Sequence, residues 1–279
     1  MIELEQIIKN ALTEDIGTGD ITTIAIVSGN LNGKGEFLVK QNGIIAGLEI
    51  VRKIFAAVDP SLVFNTNVKD GDKVSKGNVI AAVEGSAASI LTAERTALNF
   101  LQRMSGIATM SNKFAGLISH TKAKILDTRK TVPGLRQLDK LAVKIGGCAN
   151  HRMGLHDMFL IKDNHIAVAG SITKAVNACK EYRKNKNINA KIEVETTNLE
   201  QVNEALTCDV DFIMLDNFEL DEMKKAVDII GGRCKTEASG GIDADTIKAI
   251  AETGVDFISI GALTHSVKAL DVSLDITIS

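Results

Sequence analysis

The sequence predicts an α/β protein built mainly as a parallel α/β barrel, with a smaller α/β domain ahead of it. Three observations lead there. From Ala123 onward, six β-type segments alternate with helical ones, the pattern of consecutive βαβ units. Each of the six ends on a polar residue or a glycine, at Asp127, Lys162, Glu195, Asp216, Ser239 and Gly261. Before them, Gly33 to Gly85 carries short β-type runs broken by glycine-rich turns, a different rhythm and so a different unit. A doubly wound sheet needs functional ends only at its switch point, whereas a barrel brings every strand end to one mouth, so the recurring polar ends favour the barrel. The expected division is residues 1–110 and 111–279, with the last few residues returning to pack on the first domain. At 279 residues, 45% hydrophobic, the chain is long enough for both cores.

Along the chain, Ile2, Leu4, Ile7, Ile8, Ala11 and Leu12 form a helical stripe. The segment EDIGTGDITT, Glu14 to Thr23, suits a tight turn that stops this helix with Asx-turns. β-type runs follow in KGEFLVK, NGIIAGL and VIAAVEG. The stretch DGDKVSKGNVIAAVEG is similar to the hammerhead hairpin of lipoyl and biotinyl carrier domains, but Lys40, the nearest lysine for covalent attachment, lacks the small or methionine neighbour a carrier uses. Residues 89–118 show helical spacing interrupted at Ser105 and Gly106, with Thr92 as a cap and Arg95 in the first turn. An arginine there opposes the helix dipole, so either Glu94 compensates it or Arg95 is held to meet an anion. The barrel strands are AKILDT, MFLIKDN, AKIEVETT, DFIMLDN, KTEASGG and DFISIGAL. Their helices are RQLDKLAVKIGG, SITKAVNACKEYRKN, NLEQVNEALTC, ELDEMKKAVDII and DADTIKAIAETG.

Most of the polar chemistry lies between Ile125 and His165, where seven cations face four acids in a chain of net charge −3. A local basic patch in an acidic protein points to a small polyanion, and one Tyr with no Trp leaves little for stacking on nucleic acid. No apolar run approaches a membrane span and the N terminus lacks a signal-peptide pattern, so a cytoplasmic location is expected. The four cysteines have no CxxC spacing and read as reduced core residues; no histidines have HExxH spacing for zinc. Around the mouth stand Arg129, Lys130, Arg152, Lys162 and His151, with His165 as a further candidate, together with Glu195 and Asp216. This mixed charge suits an anionic substrate that brings Mg²⁺. Ser239-Gly240-Gly241 and GALTHS, Gly261 to Ser266, could cradle phosphate on backbone N–H groups, since phosphate sites in barrels favour the last two βα loops.

At DTRKTVPGLR, GGCANHRMGL, LIKDNHI, IEVE, MLDNF, EASGGI and IGALTHS, with LTAERTALNFLQRMSGIAT upstream, the chain resembles the quinolinate phosphoribosyltransferases over nearly its whole length. The resemblance implies an irregular or open barrel of TIM type behind an N-terminal α/β sandwich of the hammerhead kind. It also implies a homodimer with shared sites, in which Arg95, from the ERT motif, completes the neighbouring site. Quinolinate would meet Thr128, Arg129, His151, Arg152 and Lys162. Lys130 and Lys162 would face phosphates of 5-phosphoribosyl 1-diphosphate, and Glu195 and Asp216 would hold ribose hydroxyls and Mg²⁺, directly or through water. The Ser239, Gly240, Gly241, Gly261 and Ala262 backbones with His265 would cradle phosphate. Catalysis would fall to Lys130, Lys162, Glu195 and Asp216, with transfer to the pyridine nitrogen preceding loss of CO₂. Alternatives are a related phosphoribosyltransferase acting on nicotinate or another planar acid, the molybdenum-transport-associated paralogues, and a non-catalytic carrier module.

Overall fold

A computed structural model describes residues 4–278, so Ile2 of the first helical stripe lies outside the described residues. Two compact units emerge. One comprises the residues up to Asn112, Thr131–Gly147 and the residues from Ser266; the other comprises Lys113–Lys130 and Cys148–His265. The division expected at 110 and 111 falls inside a helix.

In the first unit, α1 (Leu4–Ile16) buries Ile7, Ile8 and Leu12. It stops at Gly17 in the left-handed region, φ +54°, and Asp20 then caps the short α2 (Ile21–Ile26) by accepting from the Thr23 amide at 3.0 Å. The Gly- and Asp-rich stretch is thus a helix stop followed by a cap. β1 (Asn32–Val39) and β2 (Gly43–Ile44) lead to α3 (Leu48–Val58), which the reading of Gly33 to Gly85 as β-type runs does not contain. Its Leu48, Ile50, Val51, Ile54 and Phe55 are buried at helical spacing, and the apolar run NGIIAGL had masked the change of period. β3 (Val63–Thr66), β4 (Lys73–Val74) and β5 (Val79–Ser86) follow. A four-stranded antiparallel sheet runs in the order β12-β1-β5-β3, with β12 (Val272–Ile278) contributed by the far end of the chain. Phe37, Phe55 and Phe64 centre its core, their rings within 6.0 Å of one another.

The helix expected to break at Ser105 and Gly106 does not break. α4 (Ala87–Leu117) is continuous through both, and it begins early enough that Thr92 is no cap: its hydroxyl bonds back to the Ala88 carbonyl at 2.9 Å. Arg95 therefore sits in mid-helix, and the dipole argument for it falls. Gly106 is there for close approach, because a Cβ would collide with the Lys268 backbone carbonyl. α5 (Arg136–Ile145) completes the unit, and its buried Asp139 receives a two-point bond from Arg103, Nε and Nη2 both at 2.9 Å.

The second unit is a six-stranded parallel sheet in the order β6-β11-β10-β9-β8-β7. Its strands are β6 (Lys124–Leu126), β7 (Phe159–Ile161), β8 (Ile192–Thr196), β9 (Phe212–Asp216), β10 (Lys235–Ser239) and β11 (Phe257–Ser259). They alternate with α6 (Asp163–Ala169), α7 (Ile172–Lys186), α8 (Leu199–Thr207), α9 (Leu220–Ile230), α10 (Ile247–Glu252) and α11 (Ala262–His265). All six expected strands are present. α6 begins at Asp163, within the segment MFLIKDN expected as a strand, because the side chain of His165 accepts from the Lys162 amide at 2.9 Å and starts a helix. All four cysteines are unbridged.

Removing Arg103 would strand a carboxylate that has almost no solvent, with the Val132 amide, 3.2 Å away, as a remaining donor. Arg103→Ala is expected to lower unfolding free energy by about 3 kcal/mol, the scale for breaking one side of a buried pair when the arginine is partly exposed. Urea denaturation of the two proteins measures it, and a loss below about 0.5 kcal/mol would contradict the expectation.

Candidate active site

All six strands deliver residues to one cavity of about 740 Å³ within the second unit. Side chains alternate across a strand, so inward positions recur every two residues. On β8 these are Glu193 and Glu195, on β9 Met214 and Asp216, and on β10 Glu237 and Ser239. The later residue of each pair stands at the mouth and is partly exposed, while the earlier lies deeper and is buried. Convergence of the strand ends on one cavity turns six short polar signals into one site.

Cations border the mouth. Arg129 and Lys130 follow β6, both exposed; the Lys130 amide donates to Thr128 Oγ1 at 3.0 Å and its carbonyl accepts from the Thr264 hydroxyl at 2.8 Å. Lys162, at the end of β7, bonds Glu195 through Nζ at 2.6 Å. This pair is partly exposed, so it can open to another ligand at small cost. Arg152 is different, being 9% exposed. One of its terminal nitrogens donates to the Met158 carbonyl at 2.9 Å, but its Nε has no acceptor. Burial, with Arg129 adding like-charge repulsion, pulls this guanidinium below its ordinary pKa. A desolvated guanidinium repelled by a second one is stabilised by an anion between them.

Buried Asp127 holds the NHR segment in place. One oxygen accepts from the His151 amide at 2.9 Å and the other from Asn150 Nδ2 at 2.6 Å. His151 Nδ1 in turn accepts from the Arg152 amide at 2.7 Å, which puts the ring proton on Nε2. Nε2 faces two buried acids, Glu193 at 3.1 Å and Glu237 at 3.5 Å. Among the described residues these three form a compact group, one ligand atom from each lying within 4.8 Å of the others. Burial drives both carboxyls upward, Glu193 to about 7 and Glu237, with the Glu193 charge as second cause, to about 8.

Two glycine turns complete the wall. Gly240 and Gly241 both have positive φ, +97° and +59°, and a Cβ on Gly240 would collide with the Asn217 side chain. A Cβ on Gly261 would come within 3.0 Å of both the His265 ring and Lys130 Cδ. Side chains are excluded here, and the backbone is left open to a ligand.

Every site residue expected from the sequence lines this cavity except Arg95, which is exposed on α4 of the first unit. His165 serves as the α6 cap, and His156 is exposed outside the lining set. Sequence reasoning missed Glu193 and Glu237. Their signal was present in IEVE and TEAS, where period-2 alternation puts each on the same face as the recognised Glu195 and Ser239.

Two family models match the chain. The one described as Quinolinate phosphoribosyl transferase, C-terminal domain, matches residues 107–275, and that for the N-terminal domain of the same enzyme matches residues 20–105. A chloroplastic nicotinate-nucleotide pyrophosphorylase [carboxylating] of Arabidopsis thaliana is 49% identical, covering 98% of this chain and 83% of its own length. A probable nicotinate-nucleotide pyrophosphorylase [carboxylating] of Bacillus subtilis is 44% identical over 100% of this chain and 95% of its own. Among solved structures, the nicotinate-nucleotide pyrophosphorylase of Francisella tularensis superposes with a TM-score of 0.91 at 42% identity, covering 98% of this chain and 96% of that one.

The acid pair has a consequence for stability. Both carboxyls titrate higher in the folded state than their ordinary value of 4.5, so the folded chain binds more protons between that value and about 8. Their contribution to stability therefore falls as pH rises through this window, by at most about 1.4 kcal/mol per pH unit for each proton. Urea unfolding at a series of pH values should show a shallower fall in Glu237→Gln than in the parent; equal slopes would contradict the assignment.

Proposed function

The chain belongs to the quinolinate phosphoribosyltransferase family, and from that premise we propose how its cavity carries the family reaction. The chain transfers the phosphoribosyl group of 5-phosphoribosyl 1-diphosphate to quinolinate with loss of CO₂, giving nicotinate mononucleotide and pyrophosphate for NAD synthesis. One observation carries the residue assignment: a single cavity combines a buried guanidinium with an unpartnered Nε, a second guanidinium beside it, lysines at its rim, two carboxylates and two glycine turns.

Quinolinate carries adjacent carboxylates, and guanidinium groups bind carboxylate in a planar fork. Arg129 and Arg152 take these groups, with Thr128 and His151 lining the same side. Arg95 of the partner subunit completes the set in a homodimer. Lys130 and Lys162 face the phosphates of the second substrate. Backbone amides of Ser239, Gly240, Gly241, Gly261 and Ala262, with His265 beside them, cradle its phosphate oxygens. Glu195 and Asp216 hold the ribose hydroxyls.

Those two carboxylates also fit Mg²⁺. Each accepts one protein hydrogen bond, from Lys162 at 2.6 Å and from Asn217 Nδ2 at 2.8 Å, and each has a second oxygen for a hard cation that keeps waters and substrate oxygens in its shell. When bound, Mg²⁺ supplies charge neutralisation for the diphosphate. Lys130 and Lys162 stabilise the departing pyrophosphate, Glu195 and Asp216 sit near the positive charge developing on the ribose, and the guanidiniums hold the pyridine nitrogen in line for attack. Ribosylation makes that nitrogen cationic, and the adjacent 2-carboxylate then has an electron sink for its loss.

The test is an endpoint assay with 5-phosphoribosyl 1-diphosphate and Mg²⁺, run with quinolinate and in parallel with nicotinate, detecting mononucleotide and CO₂. Quinolinate alone should turn over, with one CO₂ per mononucleotide; turnover of nicotinate alone would overturn the two-carboxylate assignment. Arg152→Ala is expected to weaken quinolinate binding by about 2–5 kcal/mol, the scale for leaving one partner of a buried charge pair unmatched, with unchanged calorimetric affinity as the contrary result. Mixing inactive Arg95→Ala with inactive Arg129→Ala should restore part of the activity, because one site of the hybrid dimer is intact. Failure to recover any would argue against a shared site.

A further inference from the structure

We infer that Glu237 is the acid whose proton on C2 of the pyridine ring makes the loss of CO₂ irreversible, an assignment that rests on the quinolinate reading above. The cavity floor supplies the geometry. Glu237 lines the cavity yet is 1% exposed, and its Oε1 has no hydrogen-bond partner. Neither oxygen of the adjacent Glu193 has an aligned donor. One imidazole nitrogen serves both acids, so two carboxylate anions would stand nearly dry with a single N–H between them. That arrangement needs a proton on one of them.

The surroundings decide which. Glu193 is the nearer to the imidazole N–H, 3.1 Å against 3.5 Å for Glu237, so the single donor supports the anion of Glu193. Glu237 is the farther from that N–H and, unlike Glu193, lines the cavity, where its Oε1 is unpartnered. Glu237 is therefore the neutral carboxylic acid of the pair, its folded-state pKa above neutrality in accord. His151 cannot take this role as it stands, since Nδ1 accepts from the Arg152 amide and Nε2 faces the acids.

A second feature of the same cavity offers a seat for the reacting carboxylate. The unsatisfied Nε of buried Arg152 calls for an acceptor, and a substrate carboxylate docked there stands over this floor. In the ribosylated intermediate the bond from C2 to its carboxylate carbon breaks reversibly, the electron pair staying on C2 beside the cationic ring nitrogen with CO₂ still in the cavity, so CO₂ is released only once C2 is protonated. The C2–H bond then forms as the Glu237 O–H bond breaks. The resulting carboxylate recovers its proton from water once product leaves.

The experiment is a single turnover of quinolinate and 5-phosphoribosyl 1-diphosphate with Mg²⁺ on the full chain, following pyrophosphate, CO₂ and any dicarboxylate mononucleotide. Parent protein should release CO₂ and pyrophosphate one for one. In Glu237→Gln the ratio of CO₂ to pyrophosphate should fall at least tenfold during the turnover, with the dicarboxylate mononucleotide accumulating. A ratio that stays at one, whether both products form at the parent rate or slow together, overturns the inference and leaves Glu237 a structural residue. Should the Gln variant not fold, Glu237→Asp, which keeps an acid but withdraws it by a methylene, should show the same selective lag in CO₂, and a ratio of one there overturns it equally. Parent protein that releases no pyrophosphate with quinolinate would instead remove the reaction itself, and this assignment with it.

Discussion

Successive side chains on a β-strand point to opposite faces, and the cavity of the second unit depends on that alternation throughout. Three consecutive strands, β8, β9 and β10, each place two residues inward, one at the mouth and one two positions deeper. The outer set, Glu195, Asp216 and Ser239, meets solvent and ligand. The inner set, Glu193, Met214 and Glu237, is dry. The same carboxylate chemistry thus acquires two characters from depth alone: hydrated anions above, and below them acids pushed towards neutrality by burial. A shift of one residue in the pairing of any of these strands would exchange the inward and outward sets and dissolve the site.

The loops on this frame are tied down by buried carboxylates. Asp127, at the end of β6, fixes the NHR segment through Asn150 and the His151 amide, and that segment aims Arg152 and closes the floor with His151. Asp139 does the corresponding work in the first unit by gripping Arg103. Neither aspartate needs to touch a ligand. Each converts a flexible connection into a fixed one, and positioned charge is what a reaction with polyanionic substrates requires.

Much of this was legible in the sequence for physical reasons. Parallel strands buried on both faces read as short apolar runs, and the polar residue closing each run marks the mouth, so the barrel pattern, Glu195, Asp216 and the glycine turns could be named in advance. What failed had equally definite causes. α3 was missed because its apolar stripe abuts a β-type run. Ser105-Gly106 looked like a break, yet Gly106 serves the close passage of the Lys268 backbone, a contact more than 150 residues away in sequence and invisible to local pattern. Glu193 and Glu237 were passed over because charged residues inside strands are read as solvent-facing unless the face is assigned first. Arg95 shows the opposite limit, since motif resemblance gives it a role that its place on α4 in a single chain does not express.

The pairing of β12 with β1 has a bearing on how the chain is made. β1 lies between β5 and β12, and β12 comprises residues 272–278, so the first sheet waits for an edge strand encoded after the whole parallel sheet. On a ribosome that releases the N-terminal segments first, β1 spends the translation of some 180 residues with one ladder of backbone donors and acceptors open to any extended segment nearby. Lys34 and Glu36 on that strand, paired at 2.8 Å, present charge along it during the wait, and charged side chains are a common means of discouraging unwanted strand addition. The protein's vulnerability during synthesis is thereby set by its slowest-arriving strand, and conditions that stall translation late should be harder on solubility than those that slow it early.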